Sequence, residues 1–151
     1  MSLEQDIGRL ARTKPFDLLP RDALKLIAFS ADRKKFAAGG QIFDQGDEAD
    51  CAYFIVSGAV ELTAYGQGEP QQRIVTPGAL IGEMAMFAPI KRPSGARAKE
   101  DAVALRISRD LMTRVLGEYG REAAQIHAAL ADRTRRLATE LDAVRRRALI
   151  G

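Results

Sequence analysis

The chain has 151 residues, 46% of them hydrophobic and 28% charged, and its formal net charge at pH 7 is +3. This length and composition fit one globular domain and argue against a disordered chain. Cys51 is the only cysteine and His127 the only histidine, so the chain lacks the parts of an intramolecular disulfide, a zinc finger or a histidine-rich metal centre, and a Cys–His nucleophile pair could be formed only by these two residues. We therefore expect neither an enzyme nor a metal site.

Hydropathy and charge indicate where in the cell the protein is located and which classes of molecule it binds. The longest apolar stretches, such as LKLIAF and YFIV, are far shorter than the roughly 20 residues that span a bilayer. The acidic N-terminus MSLEQDIGRL lacks the apolar core of a secretory signal, so we expect a cytoplasmic protein that makes no membrane contact. The small positive charge favours an anionic ligand, but scattered basic residues and the absence of tryptophan argue against nucleic acid as a partner.

The first elements along the chain are predicted to be helical, over residues 1–34. Ile7 and Leu10 lie on one face of a short helical pattern. A second pattern opens at Pro20, which suits the first turn of a helix, and Leu24 lies on its apolar face. The domain is therefore expected to begin with two helices.

From residue 35 to 107 the pattern changes to short β-rich runs separated by glycines. Turns at that spacing predict an antiparallel β barrel or jelly roll, so we expect a mainly β, α+β fold. The candidate strands contain Phe36 with Ala38, Ile42–Phe43, Ala52–Val56, Val60 with Leu62, Ile74–Val75, and Val103 with Leu105 and Ile107.

A short helix is predicted directly after the barrel. Ser108 is a candidate N-cap, because its hydroxyl can accept a bond from a free N–H of the first turn. The helix should run to about Leu116. Gly117 and Gly120 are predicted to end it, because glycine favours the left-handed conformation that closes many helices.

The longest helical pattern runs from Arg121 to about Ala148. Apolar or small residues recur along it in steps of three and four and form one stripe. The first half of the stripe fits packing on the barrel as well as packing on a partner. Beyond Leu137 the helix should outrun a small barrel, since about 28 residues extend about 42 Å. A partner helix is the simpler cover there, which predicts a homodimer through the C-terminal helix.

Two segments carry a resemblance to a known family. GGQIFDQGDEADCAYFIVSGAVEL covers residues 39–62, and TPGALIGEMAMFAPIKRPSGARAKEDAVALRI covers residues 76–107. In this order they resemble the cyclic nucleotide-binding domain family, which includes catabolite-activator-type regulators, protein kinase A regulatory subunits and cyclic-nucleotide-gated channels. The resemblance implies one domain over residues 1–151, with helices over 1–34, a jelly-roll barrel over 35–107 containing a phosphate-binding cassette at 80–96, and helices over 108–151.

The resemblance implies cAMP or cGMP as the ligand and gives roles to residues of the cassette. A cyclic phosphodiester carries one negative charge and its ribose a 2′-hydroxyl, so the site needs both donors and an acceptor. Gly82 lets the backbone approach a ligand closely, and a helical turn opening at Glu83, Met84 and Ala85 would aim N–H groups at the anion. In the family, a carboxylate at the position of Glu83 accepts the ribose hydroxyl.

Arg92 lies nine residues after Glu83, where the resemblance places the arginine that pairs with the cyclic phosphate. A guanidinium is always charged and donates two parallel bonds to phosphate oxygens. Here Pro93 follows it, where the family usually has a small or hydroxyl residue, and proline has no N–H to donate. Ser94 could restore that contact through its hydroxyl. An alternative register puts Ser94 at the arginine position, but the ungapped register also carries residues 96–107 onto the family's next strand.

Three interpretations of the function stay open. The resemblance implies a sensor that signals through movement of its C-terminal helix, where Arg133 and Arg136 would cover the purine, although both fit a solvated helix face equally well. A degenerate member that only scaffolds dimerisation is favoured by Pro93. The third is the sensor part of a catabolite-activator-type transcription regulator without its helix-turn-helix, because the chain ends at Gly151. The sequence does not decide between adenine and guanine.

Overall fold

The computed structural model describes residues 2–132 as a mainly β, α+β fold. This confirms the predicted fold class. Arg133 and Arg136 lie outside the described residues, as does the rest of residues 133–151, on which the later part of the long helix and the dimer seam were predicted.

Two helices and a short turn form the N-terminal segment. Helix α1 spans Leu3–Leu10, and Ser2 caps it in a reciprocal arrangement with the Gln5 side chain. A 3₁₀ turn covers Phe16–Leu18, and helix α2 spans Arg21–Ser30. The two predicted helices are confirmed.

Ten antiparallel strands of residues 32–108 form the jelly roll. One four-stranded sheet has the order β1-β10-β4-β7, a second has the order β2-β9-β5-β6, and β3 pairs with β8 alone. The strands are β1 Asp32–Phe36, β2 Gln41–Phe43, β3 Glu48–Ala49, β4 Cys51–Ser57, β5 Val60–Ala64, β6 Gln71–Val75, β7 Leu80–Ile81, β8 Ile90–Lys91, β9 Gly95–Ala98 and β10 Ala102–Ser108.

Two apolar clusters lie on opposite faces of the first sheet. The helical cluster joins the helices to one face of that sheet and includes Leu24, Ile27, Phe54, Leu105 and Met112. The barrel cluster fills the space between the sheets and includes Ile55, Val60, Leu62, Ala98 and Ala104. Alternation along each strand produces both clusters, because successive side chains point to opposite faces.

Four strands were not predicted from the sequence. Strands β3, β7 and β8 are two residues long, and β9 has the sequence GARA, without β-branched or aromatic residues. The first sheet also begins at Asp32, earlier than the predicted boundary at residue 35. The sequence of β1 is DRKKF, with four exposed positions and no apolar alternation. Its pairing with β10 sets its extent instead.

The segment after the barrel is helical, as predicted, with one correction. Ser108 is the N-cap of helix α3, Arg109–Glu118, and its Oγ accepts the N–H of Leu111 at 3.1 Å. Gly117 lies inside α3, so the prediction that it ends the helix was wrong. Glycine within a helix costs only about 1 kcal/mol relative to alanine, which the packing of α3 outweighs. A further helix begins at residue 120 and is described to residue 132; Ile126 within it is fully buried.

Candidate anion-binding site

The cassette segment, residues 80–96, folds as a strand, a tight turn and two further strands. Gly82 follows β7 with φ +72°, and a 3₁₀ helix then spans Glu83–Met86. This confirms the predicted helical turn. Ala85 and Met86 are buried and anchor it, whereas Met84 is half-buried. The turn is therefore fixed on the barrel by its own apolar side chains.

The side chain of Arg92 points into the protein and is only 4% exposed. Its Nη2 donates to the carbonyl oxygen of Cys51 at 2.8 Å and lies 3.4 Å from the Cys51 Sγ. Its Cζ lies 4.1 Å from the centre of the Phe43 ring. Its backbone N–H donates to Asp47, and its carbonyl oxygen accepts from Gly46, both at 2.8 Å. Both the main chain and the side chain are therefore held in place.

The guanidinium of Arg92 lies against the backbone of Gly82. A Cβ at position 82 would come closer to Nη1 than real Cβ atoms come to other heavy atoms. The positive φ also disfavours any other residue there. Glu83 follows immediately, half-buried at the start of the 3₁₀ helix. The fold thus brings Gly82, Glu83 and Arg92 together from the two ends of the cassette segment.

One nitrogen of this guanidinium is unsatisfied. Arg92 Nη1 is buried and has no hydrogen-bond partner within residues 2–132. Those residues also provide no carboxylate within ion-pair distance of Arg92. A buried polar group without a partner costs about 1–3 kcal/mol, and more when it is charged. An anion beside Gly82 would supply the missing acceptor.

The two residues after Arg92 differ in exposure. Pro93 is exposed and Ser94 is half-buried. Both lie between Arg92 and the start of β9 at Gly95, and proline has no N–H to offer an anion. Donors for an anion beside Gly82 would therefore have to come from Arg92 and from the start of the 3₁₀ turn.

Three aromatic rings form a cluster beside the Arg92 side chain, and none of them was predicted from the sequence to belong to the site. Phe43 and Tyr53 stack with ring centres 6.0 Å apart and planes at 28°, and Phe36 meets Tyr53 edge-on at 6.1 Å. Burial of the ring raises the pKa of Tyr53, and the neighbouring Cys51 thiol acts in the same direction. The Tyr53 hydroxyl is therefore neutral at physiological pH. We call Phe36, Tyr53 and Phe43 the aromatic cluster.

A second arginine of the barrel, Arg106, is neutralised. It lies 3.1 Å from a carboxylate oxygen of Asp50 and 3.7 Å from one of Asp32. Burial alone would lower the pKa of Arg106, but the nearby Cys51, Asp50, Tyr53 and Asp32 together raise it. Its charge is thus already matched, in contrast to that of Arg92.

A row of inward-facing residues leads away from Arg92 across the second sheet. Phe43 pairs with Ala96, Ala96 with Leu62, and Leu62 with Arg73. Directly opposed residues of antiparallel strands share a face, and Leu62 belongs to the barrel cluster. Arg73 therefore lies on the inner face, where it is exposed at the far end of the row. The location of Arg73 on the inner face could not be predicted from the sequence, because it depends on the strand register.

Arg109, the first residue of α3, connects the cassette segment to the helices. Its Nε donates to the carbonyl oxygen of Ala85 at 3.1 Å, and its Nη2 donates to that of Ala49 at 2.6 Å. A surface cavity of about 560 Å³ lies beside the Arg109 side chain, and the buried guanidinium of Arg92 does not line it. The cavity is lined by Glu48, Ala49, Asp50, Pro89, Ile90, Lys91 and Arg109. Arg109 could not be predicted from the sequence pattern, because both of its acceptors are distant in sequence.

The described residues form neither a metal-binding group nor a membrane-spanning helix. No group of three or more His, Cys, Asp or Glu side chains among them is arranged to hold a metal ion. No helix formed by them combines the length and apolar character needed to cross a bilayer.

The chain is similar to proteins that carry cyclic nucleotide-binding domains. A family model described as cyclic nucleotide-binding domain matches residues 33–119. The cyclic AMP receptor protein of Thermus thermophilus is 33% identical over 112 residues, which are 73% of this chain and 52% of that protein. The cAMP-dependent protein kinase regulatory subunit of Emericella nidulans is 30% identical over 113 residues, which are 75% of this chain and 26% of that protein. This chain thus spans about a quarter to a half of these relatives.

A solved structure of a cyclic nucleotide-binding-like protein from Brucella abortus is 38% identical, with a TM-score of 0.69. The match covers 75% of this chain and 98% of that one. The family model covers more than half of the chain, from β1 to the end of α3. The chain therefore belongs to the cyclic nucleotide-binding domain family.

Proposed function

We propose that this chain binds a cyclic nucleotide, cAMP or cGMP, as a regulatory sensor and performs no chemistry on it. The observation that carries the proposal is the buried Arg92 guanidinium, whose Nη1 lacks a partner within the described residues. A cyclic phosphodiester carries one negative charge, which matches this single unpaired cation. Membership of the family and relatives named for cAMP support the same ligand.

In the proposed complex, the phosphate lies beside the contact between Arg92 and the backbone of Gly82. The guanidinium donates from Nη1, and the N–H groups at the start of the 3₁₀ helix Glu83–Met86 face the same anion. Glu83, adjacent to the phosphate position, accepts the ribose 2′-hydroxyl. Ser94 can add its hydroxyl where Pro93 has no N–H.

The base extends from the phosphate along the inner face toward Arg73. Neighbouring strands are about 4.8 Å apart, so the Arg73 side chain is long enough to extend over Leu62, its cross-strand partner. An arginine donates two bonds to O6 and N7 of guanine, so Arg73 favours cGMP. Arg133 and Arg136 stay candidates for covering the base from the C-terminal helix.

The proposed signal passes from the cassette to the helices through Arg109. Its side chain donates to Ala85 in the cassette turn, while its backbone begins α3. Movement of the turn on ligand binding therefore shifts the first turn of α3 and the helix that follows. The homodimer through the C-terminal helix stays a prediction.

Calorimetric titration of the chain with cAMP and with cGMP tests the proposal. We expect binding of at least one nucleotide, and Arg92→Ala should weaken it at least tenfold, because a charge-assisted hydrogen bond is worth roughly 1.5–3 kcal/mol. Arg97→Ala, which removes an exposed arginine of β9, is the matched control. Absence of binding of both nucleotides at millimolar concentration would leave the scaffold interpretation, and an unchanged dissociation constant in Arg92→Ala would exclude Arg92 as the phosphate partner.

A further inference from the structure

The guanidinium of Arg92 rests on an aromatic face. Its Cζ lies 4.1 Å from the centre of the Phe43 ring, within the range of a cation–π contact. Phe43 is only 9% exposed, so water screens this contact little. We propose that Phe43 is a positioning residue for anion binding, because its ring holds the Arg92 guanidinium with Nη1 directed at Gly82. This inference rests on the proposed function of the same site.

The electrostatic argument starts from the burial of an unpaired charge. The described residues offer Arg92 a carbonyl oxygen and a sulfur at Cys51 but no carboxylate. The negative face of an aromatic ring attracts a cation without neutralising it. A carboxylate at the same place would compete with the phosphate. The ring therefore stabilises the guanidinium and leaves its charge available to the ligand.

The other two rings of the aromatic cluster fix the orientation of the Phe43 ring. Tyr53 stacks on Phe43 at 6.0 Å, and Phe36 supports Tyr53 edge-on. Tyr53 is itself 5.8 Å from the Arg92 Cζ, against 4.1 Å for Phe43. Phe43 is thus the ring in contact, and the other two limit its rotation. A guanidinium fixed before binding loses less conformational entropy when the ligand arrives.

The contact between Phe43 and Arg92 matters more because Pro93 follows Arg92. With no N–H at position 93, the site relies more heavily on the direction of the Arg92 donors. If the guanidinium could rotate so that its N–H groups all pointed at Cys51, few donors would be left for the anion. Phe43 therefore compensates for part of what Pro93 removes.

A double-mutant cycle separates this role from simple packing. Phe43→Leu keeps an apolar side chain and removes the ring, Phe43→Tyr keeps the ring, and Arg92→Met removes the charge. We expect Phe43→Leu to weaken cyclic nucleotide binding roughly tenfold when Arg92 is present, and Phe43→Tyr to bind like wild type. In the Arg92→Met background, Phe43→Leu should have almost no further effect. Equal losses in both backgrounds would overturn the inference, because the ring would then act without the guanidinium.

Phe36→Leu is the matched control, because it removes a ring of the same cluster that does not contact the guanidinium. Urea unfolding of each variant corrects for general destabilisation. We expect Phe36→Leu to lower stability while changing the dissociation constant less than Phe43→Leu does. A loss of affinity in Phe36→Leu as large as that in Phe43→Leu would count against a specific role for Phe43.

A measurement on the ligand-free chain keeps the inference testable if neither nucleotide binds. In NMR spectra, the side-chain Nε–H signal of Arg92, assigned through its loss in Arg92→Met, should be shifted by the Phe43 ring current and show restricted motion. Both properties should disappear in Phe43→Leu and persist in Phe43→Tyr. An ordered, unshifted Arg92 signal in Phe43→Leu would refute the positioning role, whereas failure of nucleotide binding alone would refute only the proposed function.

Discussion

The guanidinium of Arg92 occupies the space that a side chain at Gly82 would need. The two residues are ten positions apart, near the two ends of the cassette segment. Gly82 meets two requirements there, since its φ is positive and its missing side chain leaves room for Nη1. The contact places the buried Arg92 guanidinium directly against the residue that precedes the 3₁₀ turn Glu83–Met86.

Gly82→Ala should displace Arg92 and weaken nucleotide binding by roughly tenfold or more, because the phosphate loses a charge-assisted donor. The left-handed backbone alone should cost about 1–2 kcal/mol of stability. Gly78→Ala is the control, because Gly78 also has a positive φ, of +96°, but has open space around it. Calorimetry and urea unfolding of both variants measure the two effects. Equal affinities in the two variants would contradict the displacement of Arg92.

Pro93→Ala should strengthen binding, by roughly tenfold at most, because it restores one N–H donor beside the phosphate. Pro89→Ala provides the comparison, since Pro89 is also an exposed proline of the cassette segment but lies three positions before Arg92. Titration with cAMP and cGMP measures the change. If Pro93→Ala binds no more tightly than Pro89→Ala, the main chain at position 93 does not face the ligand.

Arg73→Ala should reduce the preference for cGMP over cAMP by roughly tenfold, because guanine loses two hydrogen bonds that adenine cannot accept in the same way. The ratio of the two dissociation constants measures this preference. Arg97→Ala removes an exposed arginine of the same sheet, and we expect the ratio to stay unchanged there. A ratio unaffected by Arg73→Ala would show that the base is read elsewhere.

Arg109→Met should uncouple the cassette from α3 while leaving nucleotide affinity within about threefold of wild type. The substitution removes the donors to Ala85 and Ala49, each worth about 1 kcal/mol, but no proposed ligand contact. Hydrogen exchange of residues 109–118, with and without nucleotide, measures the coupling. Arg114→Met, on the same helix, should retain the ligand-dependent change. Retention of that change in Arg109→Met would disprove the route through Arg109.

Tyr53 should make stability sensitive to alkaline pH. Burial raises the pKa of Tyr53 in the folded chain above its ordinary value of 10.0. Below pH 10 the phenol is neutral in both states, so its contribution to stability is fully present. As the pH rises above 10, the unfolded state loses this proton first, and the free energy of unfolding falls. Unfolding of wild type and Tyr53→Phe at pH 8 and above pH 10 should show a steeper loss in wild type; parallel losses would contradict the assignment.

Local patterns in the sequence were sufficient for much of this fold. A continuous run of apolar and aromatic residues identified β4, alternating apolar residues identified β10, and the capping hydroxyl of Ser108 identified the start of α3. These signals depend on neighbouring residues alone. Gly82 and the helical turn after it were likewise visible, together with the spacing from Glu83 to Arg92. The family resemblance, rather than chemistry read from single residues, gave those positions their predicted roles.

The tertiary structure decided how the residues meet. It turned Arg92 inward onto Phe43, brought Arg109 to the carbonyl oxygen of Ala85, and placed Arg73 on the face of Leu62. Each of these relationships joins residues from different elements, and each depends on a strand register or a packing angle. The sequence by itself determined the helices and the longer apolar strands, because those signals are local, whereas β1 and the four unpredicted strands took their conformation from pairing. Only the packed sheets determined which side chains share the site, because their register is fixed by the burial of the whole core.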